Sequence, residues 1–354
     1  MKKLLVLTLA LSLLLPLCAC NFPETEPVTG VPPLNATVTV EDTETATDDE
    51  VPLTDDTTVR LMAMTGPTGM GLASLLHNDK EGEGNLADYE AELVTAPDQV
   101  VPAIANGTCD IAAVPINLAS TLYAKTKGQV QVLCANTLGV LHIVENGDTI
   151  KSAKDLKGKT IYAPNPGSTP EYILRFVLKE NGIDPDNDVT LQFFGSGDEV
   201  ASQLAANPEA VGMLPEPKVS AFLSANATYR AALDMTEEWN QVAGKENNLI
   251  QGVFIARKAF IQEHPAVVEA FLKDYDASQA LVNGDLEKGA QLVVEAGIIP
   301  KAPLAKKAIP GCNITFLEGA EMKKGVAKCL DVLFEAAPQS VGNAIPGDDF
   351  YFTK

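Results

Sequence analysis

The chain has 354 residues and a formal net charge of −21, because 47 acidic side chains outnumber 26 lysines and arginines. Proteins that bind nucleic acids neutralise phosphates with clustered basic side chains, and no such stripe occurs here, which argues against that class. No basic amphipathic helix is evident that would lie on an anionic lipid surface. Hydrophobic residues make up 46% of the sequence, and the stretch after residue 58 is long enough to form two packed lobes.

The first residues have the pattern of an export signal. Met1–Lys3 is basic and Leu4–Leu17 is apolar, but this run is shorter than the ~20 residues of a membrane-spanning helix. Ala19, directly before Cys20, and the leucine three positions before Cys20 resemble a bacterial lipobox. Residues 1–19 are therefore predicted to be a lipoprotein signal peptide, with Cys20 lipidated (palmitate) at the extracytoplasmic face of the cell membrane. The alternative is an ordinary signal peptide cut elsewhere, with both cysteines of this segment incidental.

An acidic segment follows the signal. Residues 21–58 contain ten acidic side chains and no lysine or arginine, a composition that cannot bury enough apolar surface to offset chain entropy. A flexible chain of this length reaches roughly 35 Å on average, and repulsion between carboxylates extends it. We interpret residues 20–58 as a disordered tether, although a solvated tail without a partner is compatible with the same composition. The acidic residues are Glu24, Glu26, Glu41, Asp42, Glu44, Asp48, Asp49, Glu50, Asp55 and Asp56.

Strands alternate with helices after the tether. The apolar run Val59–Met64 ends at the turn residues Thr65–Gly69, and helical spacing follows from residue 70. Pro97 suits the first turn of a helix, and Asn117 is a good N-cap residue. Further strands are predicted at residues 91–95, 110–115, 130–135 and 139–145, and further helices at 97–106 and 117–125.

The same alternation continues after Gly147. Because strands that alternate with helices form parallel sheets covered on both faces, the predicted fold class is α/β with parallel sheets. Strands are predicted at residues 159–163, 189–194, 211–214, near 231 and at 249–256. Helices are predicted at residues 152–156, 171–181, 198–206, 217–224, 265–282, 286–296 and 318–336.

Two loops have the composition of a ligand site. Thr65–Met70 and Asn165–Pro170 are both rich in glycine, serine and threonine, and each lies between a strand and a helix. Ligands of αβ folds bind at the carboxyl ends of strands, where helix N-termini offer N–H groups to anionic or strongly polar ligands. Each such dipole interaction is worth ~0.3 to 1 kcal/mol. The alternative is that the glycines only make tight turns, but the recurrence of this chemistry in both loops favours a site.

Four cysteines lie beyond Cys20. Cys109, Cys134, Cys312 and Cys329 lack the close paired spacing of a zinc site, so no metal is expected. Disulfides and buried free thiols are both open outside the cytoplasm. A Cys312–Cys329 disulfide is the stronger candidate, because closing a loop of that size stabilises a protein by ~3 kcal/mol on the chain-entropy model. The pair Cys109 and Cys134 is weaker, since both lie in or beside predicted buried strands.

Several stretches together resemble a known family. They are the lipobox, the acidic tether, VRLMAMTGPTGMG at 59–71, DLKGKTIYAPNPGSTPEYILRFVLKENGID at 155–184, LPEP at 214–217 and GVFIARKAFIQEHPAVVEAFLKDY at 252–275. Over nearly all of residues 59–354 the chain is similar to the substrate-binding lipoproteins of ABC importers. The closest resemblance is to the nitrate, sulfonate and thiamine-precursor group. No single motif is specific for a ligand.

The resemblance implies a type II periplasmic-binding-protein-like fold, in which two hinge strands join two αβ lobes. Lobe one is expected at residues 59–143 and 252–354 and lobe two at 144–251, with hinges at Val140–Glu145 and Leu249–Phe254. In such proteins the lobes close on a small molecule in the cleft, and the closed form docks on a permease driven by an ATPase. The protein itself is expected to be a monomer.

Ligand-binding positions carry over from the family by their place in the sequence. The absence of arginine and lysine from these loops departs from the nitrate and sulfonate pattern. It argues against a small, strongly charged oxyanion and leaves a neutral or zwitterionic organic ligand open. Glu216 can either accept a hydrogen bond from a ligand amine or cap its own helix, and both roles stay open. The sequence does not distinguish a sulfonate, pyrimidine, flavin or amino-acid ligand. The expected ligand-binding residues are Pro67, Thr68, Gly69, Asn117, Gly167, Ser168, Thr169 and Glu216.

A catalytic constellation is not evident in the sequence. His77, His142 and His264 are scattered, no cofactor is expected, and a binding protein is favoured over an enzyme. His142 is predicted to be a half-buried, hydrogen-bonded side chain and Trp239 a packing residue. The alternatives are an enzyme on the same fold, similar to a thiamine-pyrimidine synthase, and a surface sensor that scavenges a ligand.

Overall fold

Two separate β-sheets organise residues 55–95 and 97–353, which are the part of the chain that this computed structural model describes. The predicted signal peptide, the lipidation site Cys20 and the tether up to residue 54 lie outside the described residues. The strands are β1 (Val59–Met64), β2 (Tyr89–Val94), β3 (Ile111–Pro115), β4 (Val130–Leu138), β5 (Leu141–Asn146), β6 (Thr160–Pro164), β7 (Thr190–Phe194), β8 (Val211–Pro215), β9 (Tyr229–Asp234), β10 (Ile250–Arg257) and β11 (Ile314–Leu317).

Helices connect and cover these strands. Within the described residues, no helix is both long enough and apolar enough to cross a membrane. The helices are α1 (Pro67–Met70), α2 (Ala73–Glu81), α3 (Pro97–Asn106), α4 (Ile116–Lys125), α5 (Thr169–Glu180), α6 (Gly197–Ala206), α7 (Lys218–Ala225), α8 (Met235–Ala243), α9 (Lys258–Glu263), α10 (Pro265–Gly284), α11 (Leu286–Glu295), α12 (Ala302–Ala308) and α13 (Gly319–Ala336).

Both sheets mix parallel and antiparallel strands. The first sheet has the order β11-β4-β10-β3-β1-β2, with β1 parallel to β2 and β3, and β10 antiparallel to β3 and β4. The second has the order β7-β6-β8-β5-β9, with β6 parallel to β7 and β8, and β5 antiparallel to β8 and β9. The predicted parallel pairing therefore holds for β1, β2 and β3 and for β6, β7 and β8, but not for β4, β5, β9, β10 and β11. Strands β5 and β10 enter from the other sheet, so they start at the edge where the parallel strands end.

The chain passes between the two sheets at two described segments. Gly139 and Val140 connect β4 to β5, and residues 244–249 connect α8 to β10. The predicted hinge segments start at or beside these crossings and continue into β5 and β10. The predicted lobe boundaries at 143/144 and 251/252 thus fall inside β5 and β10, because each crossing strand belongs as a whole to the sheet that it enters.

Helix α13 links the two sheets by apolar packing. It contacts α4, β4 and β10 on the first-sheet side and α5 on the second-sheet side. Val332 and Leu333 of this helix meet Trp239 of α8 at a small apolar gap. Trp239 is fully buried, donates a hydrogen bond from Nε1 to the carbonyl of Asn247 at 2.7 Å, and packs on the ring of Phe176 with centroids 4.7 Å apart. The predicted packing role of Trp239 is confirmed.

The cysteines do not form the predicted bridge. Cys109, Cys312 and Cys329 are free, buried thiols, so neither Cys312–Cys329 nor Cys109–Cys134 is joined, and the disulfide prediction is wrong. The physical reason is orientation: Cys329 Sγ accepts a hydrogen bond from the Ile250 N–H at 3.2 Å, whereas Cys312 packs in the apolar cluster of α11 and α12. Burial raises the pKa of Cys109 and Cys329 to about 12, which keeps both thiols protonated.

The last four residues of the predicted tether are described and lie against the fold. Asp55 Oδ2 is 2.8 Å from Nδ1 of His264, and Thr57 Oγ1 is 3.2 Å from the same nitrogen. His264 precedes α10, so these contacts hold Asp55 and Thr57 against the first-sheet side.

Candidate functional site

A cavity of about 760 Å³ lies where the parallel strands of both sheets end. Its wall consists mainly of hydroxyl, amide and proline side chains. Of the eight predicted ligand-binding residues, it brings together six: Pro67, Thr68, Asn117, Ser168, Thr169 and Glu216. Asn165 and Pro170, the ends of the second predicted loop, also line the cavity. The further lining residues, which were not among the expected ligand-binding positions, are Thr95, Pro115, Thr137, Val140, Pro215 and Gln251.

The two predicted glycines shape the loops beneath the lining side chains. Gly69 is buried in α1, and a Cβ atom there would lie 2.7 Å from the carbonyl oxygen of Met64. Gly167 has φ +72°, a conformation that side-chain-bearing residues adopt only under strain. Neither glycine lines the cavity. Both support the tight-turn interpretation that the sequence left open.

The first loop carries Thr68 on the first-sheet side. Its backbone carbonyl accepts a hydrogen bond from Nδ2 of Asn136, a fully buried residue of β4, at 3.4 Å. The hydroxyl of Thr68 has no hydrogen-bond partner in the described part of the chain and is available to a ligand. The carboxyl end of β3 adds Asn117 in the first turn of α4, where no side chain caps the helix. Backbone N–H groups at that helix start therefore have no side-chain cap among the described residues.

The second loop carries Ser168 and Thr169 at the start of α5. Asn165 takes a left-handed φ of +55°, which asparagine tolerates better than most residues. The Ser168 hydroxyl donates a hydrogen bond to the carbonyl of Asn165, and the Gly167 N–H donates to Oε2 of Glu171 at 2.7 Å. Ser168 is the extended N-cap residue but makes no side-chain cap bond. The helix start thus offers backbone donors to the cavity.

Glu216 is a buried carboxyl group in the cavity wall. It is 7% exposed, and Ser220 donates hydrogen bonds to it from Oγ at 2.9 Å and from its N–H at 3.3 Å. Burial raises the pKa of Glu216 to about 7, although the bonds from Ser220 act in the opposite direction. Gly311, from the first-sheet side, lies against it, since a Cβ atom there would be 2.8 Å from Glu216 Oε1. The bonds to Ser220 show that Glu216 does cap its own helix.

Gln251 is the lining residue at the start of β10. Its Oε1 accepts a hydrogen bond from the Val140 N–H at 2.6 Å, so it contacts the first crossing between the sheets. A sequence signal was present, because Gln251 is the polar residue within the apolar run Leu249–Ala256. Only the antiparallel register of β10 brings it to the cavity.

The electrostatics of the cavity depend on one side chain. Among the lining residues, all of them described, no lysine or arginine occurs, and Glu216 alone is ionisable. Negative ligand groups would therefore be held by hydroxyls, amides and helix N-termini, and a positive group by Glu216.

The other singled-out side chains lie elsewhere. His142 does not line the cavity; its Nε2 is 3.9 Å from Asp234 Oδ2, and its buried Nδ1 has no hydrogen-bond partner among the described residues, contrary to the prediction. A surface group of His77, Glu81 and Glu295 has the residue types of a metal site. Glu295 is already paired, at 3.1 Å with His77 and at 2.7 Å with the Lys80 ammonium, so ordinary ion pairing accounts for this group.

Comparison with known proteins agrees with this architecture. A family model described as the ABC transporter, phosphonate, periplasmic substrate-binding protein matches residues 85–295. No curated protein sequence matches the chain. A solved ABC transporter structure from Parabacteroides distasonis is similar with a TM-score of 0.70 and 22% identity, covering 84% of this chain and 100% of that one.

Two further solved structures extend the comparison. The periplasmic aliphatic sulphonate binding protein SsuA from Escherichia coli has a TM-score of 0.65 at 16% identity, covering 84% of this chain and 92% of that one. The periplasmic nitrate-binding protein NrtA from Synechocystis PCC 6803 has a TM-score of 0.53 at 13% identity, covering 81% and 84%. At these identities the likeness concerns the fold, and the predicted periplasmic-binding-protein-like fold is confirmed.

Proposed function

Because the chain belongs to the family of phosphonate periplasmic substrate-binding proteins of ABC transporters, we propose that it holds its ligand in the cavity described above. The protein is the extracytoplasmic substrate-binding component of an ABC importer and works with the permease of that importer. One observation carries the proposed site: strand ends of both sheets and the N-termini of α4 and α5 converge on a single cavity of about 760 Å³.

The ligand is a neutral or zwitterionic organic molecule with an amine. The related proteins are described as binding a phosphonate, a sulphonate or nitrate, all of which are oxyanions. In this cavity no lysine or arginine faces such a group, whereas Glu216 is positioned to accept a hydrogen bond from an amine. A molecule with an anionic end at the helix N-termini and an ammonium end at Glu216 meets both conditions.

Matched pairs of compounds test this ligand class. Thermal unfolding is measured with 2-aminoethylphosphonate against ethylphosphonate and with taurine against ethanesulfonate, alongside amino acids, pyrimidines, flavins and nitrate. The aminated member of each pair is expected to raise the melting temperature more, and Glu216→Gln is expected to abolish that preference. Equal stabilisation by ethylphosphonate or nitrate would show that the amine is not recognised. Native mass spectrometry of protein isolated from its host identifies a ligand outside this set.

The membrane attachment is a separate part of the proposal. Lipidation of Cys20 and a tether of residues 20–58 would keep the protein on the extracytoplasmic face within reach of its permease. The intact mass of the membrane-extracted protein should show acyl chains on a chain that begins at Cys20, and Cys20→Ser should release the protein from the membrane. An N-terminus at another residue would contradict lipidation at Cys20.

The mature chain is expected to elute as a monomer in size-exclusion chromatography.

The protein binds its ligand without converting it. The family is one of substrate-binding proteins, and the cavity holds no histidine or cysteine among its described lining residues. Nuclear magnetic resonance spectra of 2-aminoethylphosphonate or taurine should stay unchanged after prolonged incubation with the protein. New resonances that depend on the protein would instead support an enzyme.

A further inference from the structure

The backbone of Val140, at the first crossing, is held from both sheets. The Val140 N–H donates to Oε1 of Gln251 in β10 at 2.6 Å, and the Val140 carbonyl accepts from the Glu216 N–H, directly after β8, at 2.9 Å. Gln251 belongs to the first sheet and Glu216 follows a strand of the second. Val140 is thus the residue at which the hydrogen bonding of the chain changes from one sheet to the other.

The residues before Val140 are bonded to the first-sheet side. Nδ2 of Asn313 donates to the carbonyl of Gly139 at 2.6 Å, and the Leu138 N–H donates to the carbonyl of Asn313 at 3.0 Å. The segment up to Gly139 is therefore fixed to that side. A rotation of one sheet against the other must change the peptide geometry at Val140, where the bond to Gln251 lies.

The side chains of Gln251 and Glu216, on either side of Val140, also line the cavity. Oε1 of Gln251 is occupied by Val140, while its Nε2 makes no hydrogen bond to any described residue and is not enclosed. An amide nitrogen is a donor only, so it requires an acceptor oxygen from whatever enters. On the other side of Val140, Glu216 offers a carboxyl group.

We propose that Gln251 is a positioning residue that couples cavity occupancy to the crossing: its oxygen holds the Val140 N–H while its amide nitrogen donates to an acceptor oxygen of the ligand. This inference rests on the proposed function, because it requires a ligand in the cavity. It adds that the ligand presents an acceptor to Gln251 as well as a donor to Glu216. Binding then tightens the bond network of Val140 and favours the closed arrangement of the two sheets.

Two substitutions separate the two atoms of the amide. Gln251→Glu keeps an acceptor for Val140 and removes the donor, whereas Gln251→Met removes both. Without any ligand, hydrogen exchange of the Val140 amide should be about three- to tenfold faster in Gln251→Met, the factor of one lost hydrogen bond, and should match wild type in Gln251→Glu. Gln203, exposed on α6, provides matched Glu and Met controls that should leave this exchange unchanged.

Binding of 2-aminoethylphosphonate tests the donor. Both Gln251 variants should bind it about ten- to a hundredfold more weakly than wild type, as expected for one hydrogen bond to a charged group, while the Gln203 variants bind as wild type does. Unchanged hydrogen exchange of the Val140 amide in Gln251→Met would show that Gln251 does not hold this N–H. Unchanged affinity of Gln251→Glu would show that the amide nitrogen of Gln251 does not donate to the ligand. If wild type binds neither 2-aminoethylphosphonate nor any other compound of the panel, the proposed ligand class fails and Gln251 has no ligand role. The exchange measurement still decides whether Gln251 holds the Val140 N–H.

Discussion

The two loops that face each other across the cavity are held in different ways. Residues 65–70 are braced by the body of the first sheet, since Gly69 is buried and Asn136 reaches from β4 to the Thr68 carbonyl. Residues 165–170 are tied to the second sheet at Asn165, whose N–H donates to the carbonyl of Phe194 at 2.7 Å. Beyond Asn165 the loop is held by bonds among its own neighbours, from Ser168 to Asn165 and from Gly167 to Glu171 in the next turn. Each loop is thus fixed to its own sheet at its start, but only the first loop is also braced by its sheet at residue 68.

The charge of the cavity follows the same division. The first-sheet side supplies hydroxyl and amide groups, and the second-sheet side supplies the ionisable group, Glu216. We therefore propose that the first side positions the ligand and that Glu216, on the second side, responds to its charge.

The largest expected effect on stability concerns the buried carboxyl group of Glu216. Burial raises the pKa of Glu216 from 4.5 to about 7. The folded protein therefore holds this proton to higher pH than the unfolded chain, and wild type loses stability as the pH rises from 4.5 to 7. Glu216→Gln should be more stable than wild type by up to about 3 kcal/mol above pH 7 and similar near pH 4.

Urea unfolding at several pH values measures the difference. Glu209→Gln, at an exposed position, serves as the control and should follow wild type at every pH. A gap between Glu216→Gln and wild type that stays constant from pH 4 to 8 would show that the carboxyl does not titrate in this range.

The next effect compares the two loop glycines. A Cβ at position 69 would meet the Met64 backbone oxygen at 2.7 Å, and a backbone atom cannot turn aside, so Gly69→Ala should destabilise by about 2 to 3 kcal/mol. Position 167 has open space but φ +72°, so Gly167→Ala should cost about 1 kcal/mol. Thermal unfolding of both variants checks the order. A larger loss at Gly167 would mean that the second loop is the rigid one.

Much of the fold was predictable because its elements are locally encoded. The apolar runs and turn residues predicted β1, α3 and most later strands and helices within a few residues. Strand β11 and helices α1, α8, α9 and α12 were missed. Strand β11 has four residues and pairs only at the sheet edge, so its sequence has no measurable period. Strand direction was also missed, because the crossing strands look like any buried strand in sequence.

The candidate site was predictable where it follows parallel strands. The loops after β1 and β6 carry glycine, serine and threonine at fixed places, and both reach the cavity. Gln251 and Thr137 were missed because their position depends on β10 pairing between β3 and β4, which is a tertiary property. The cysteine pairing failed for a similar reason: sequence spacing does not report that Cys329 points to β10.

The smallest expected effect distinguishes the hydroxyls of the two loops. The Thr68 hydroxyl has no hydrogen-bond partner in the described part of the chain, so Thr68→Ala should weaken binding of 2-aminoethylphosphonate about three- to tenfold and leave unfolding unchanged. The Ser168 hydroxyl donates to Asn165, so Ser168→Ala should weaken binding and also lower the free energy of unfolding by about 1 kcal/mol. Thr68→Ser, which keeps the hydroxyl, is the matched control and should bind as wild type does. Calorimetric titration and urea unfolding measure both quantities. Equal losses of stability in the two alanine variants would show that the Ser168 hydroxyl does not stabilise its loop more than the Thr68 hydroxyl does. Unchanged affinity in both variants would place the ligand away from these turns.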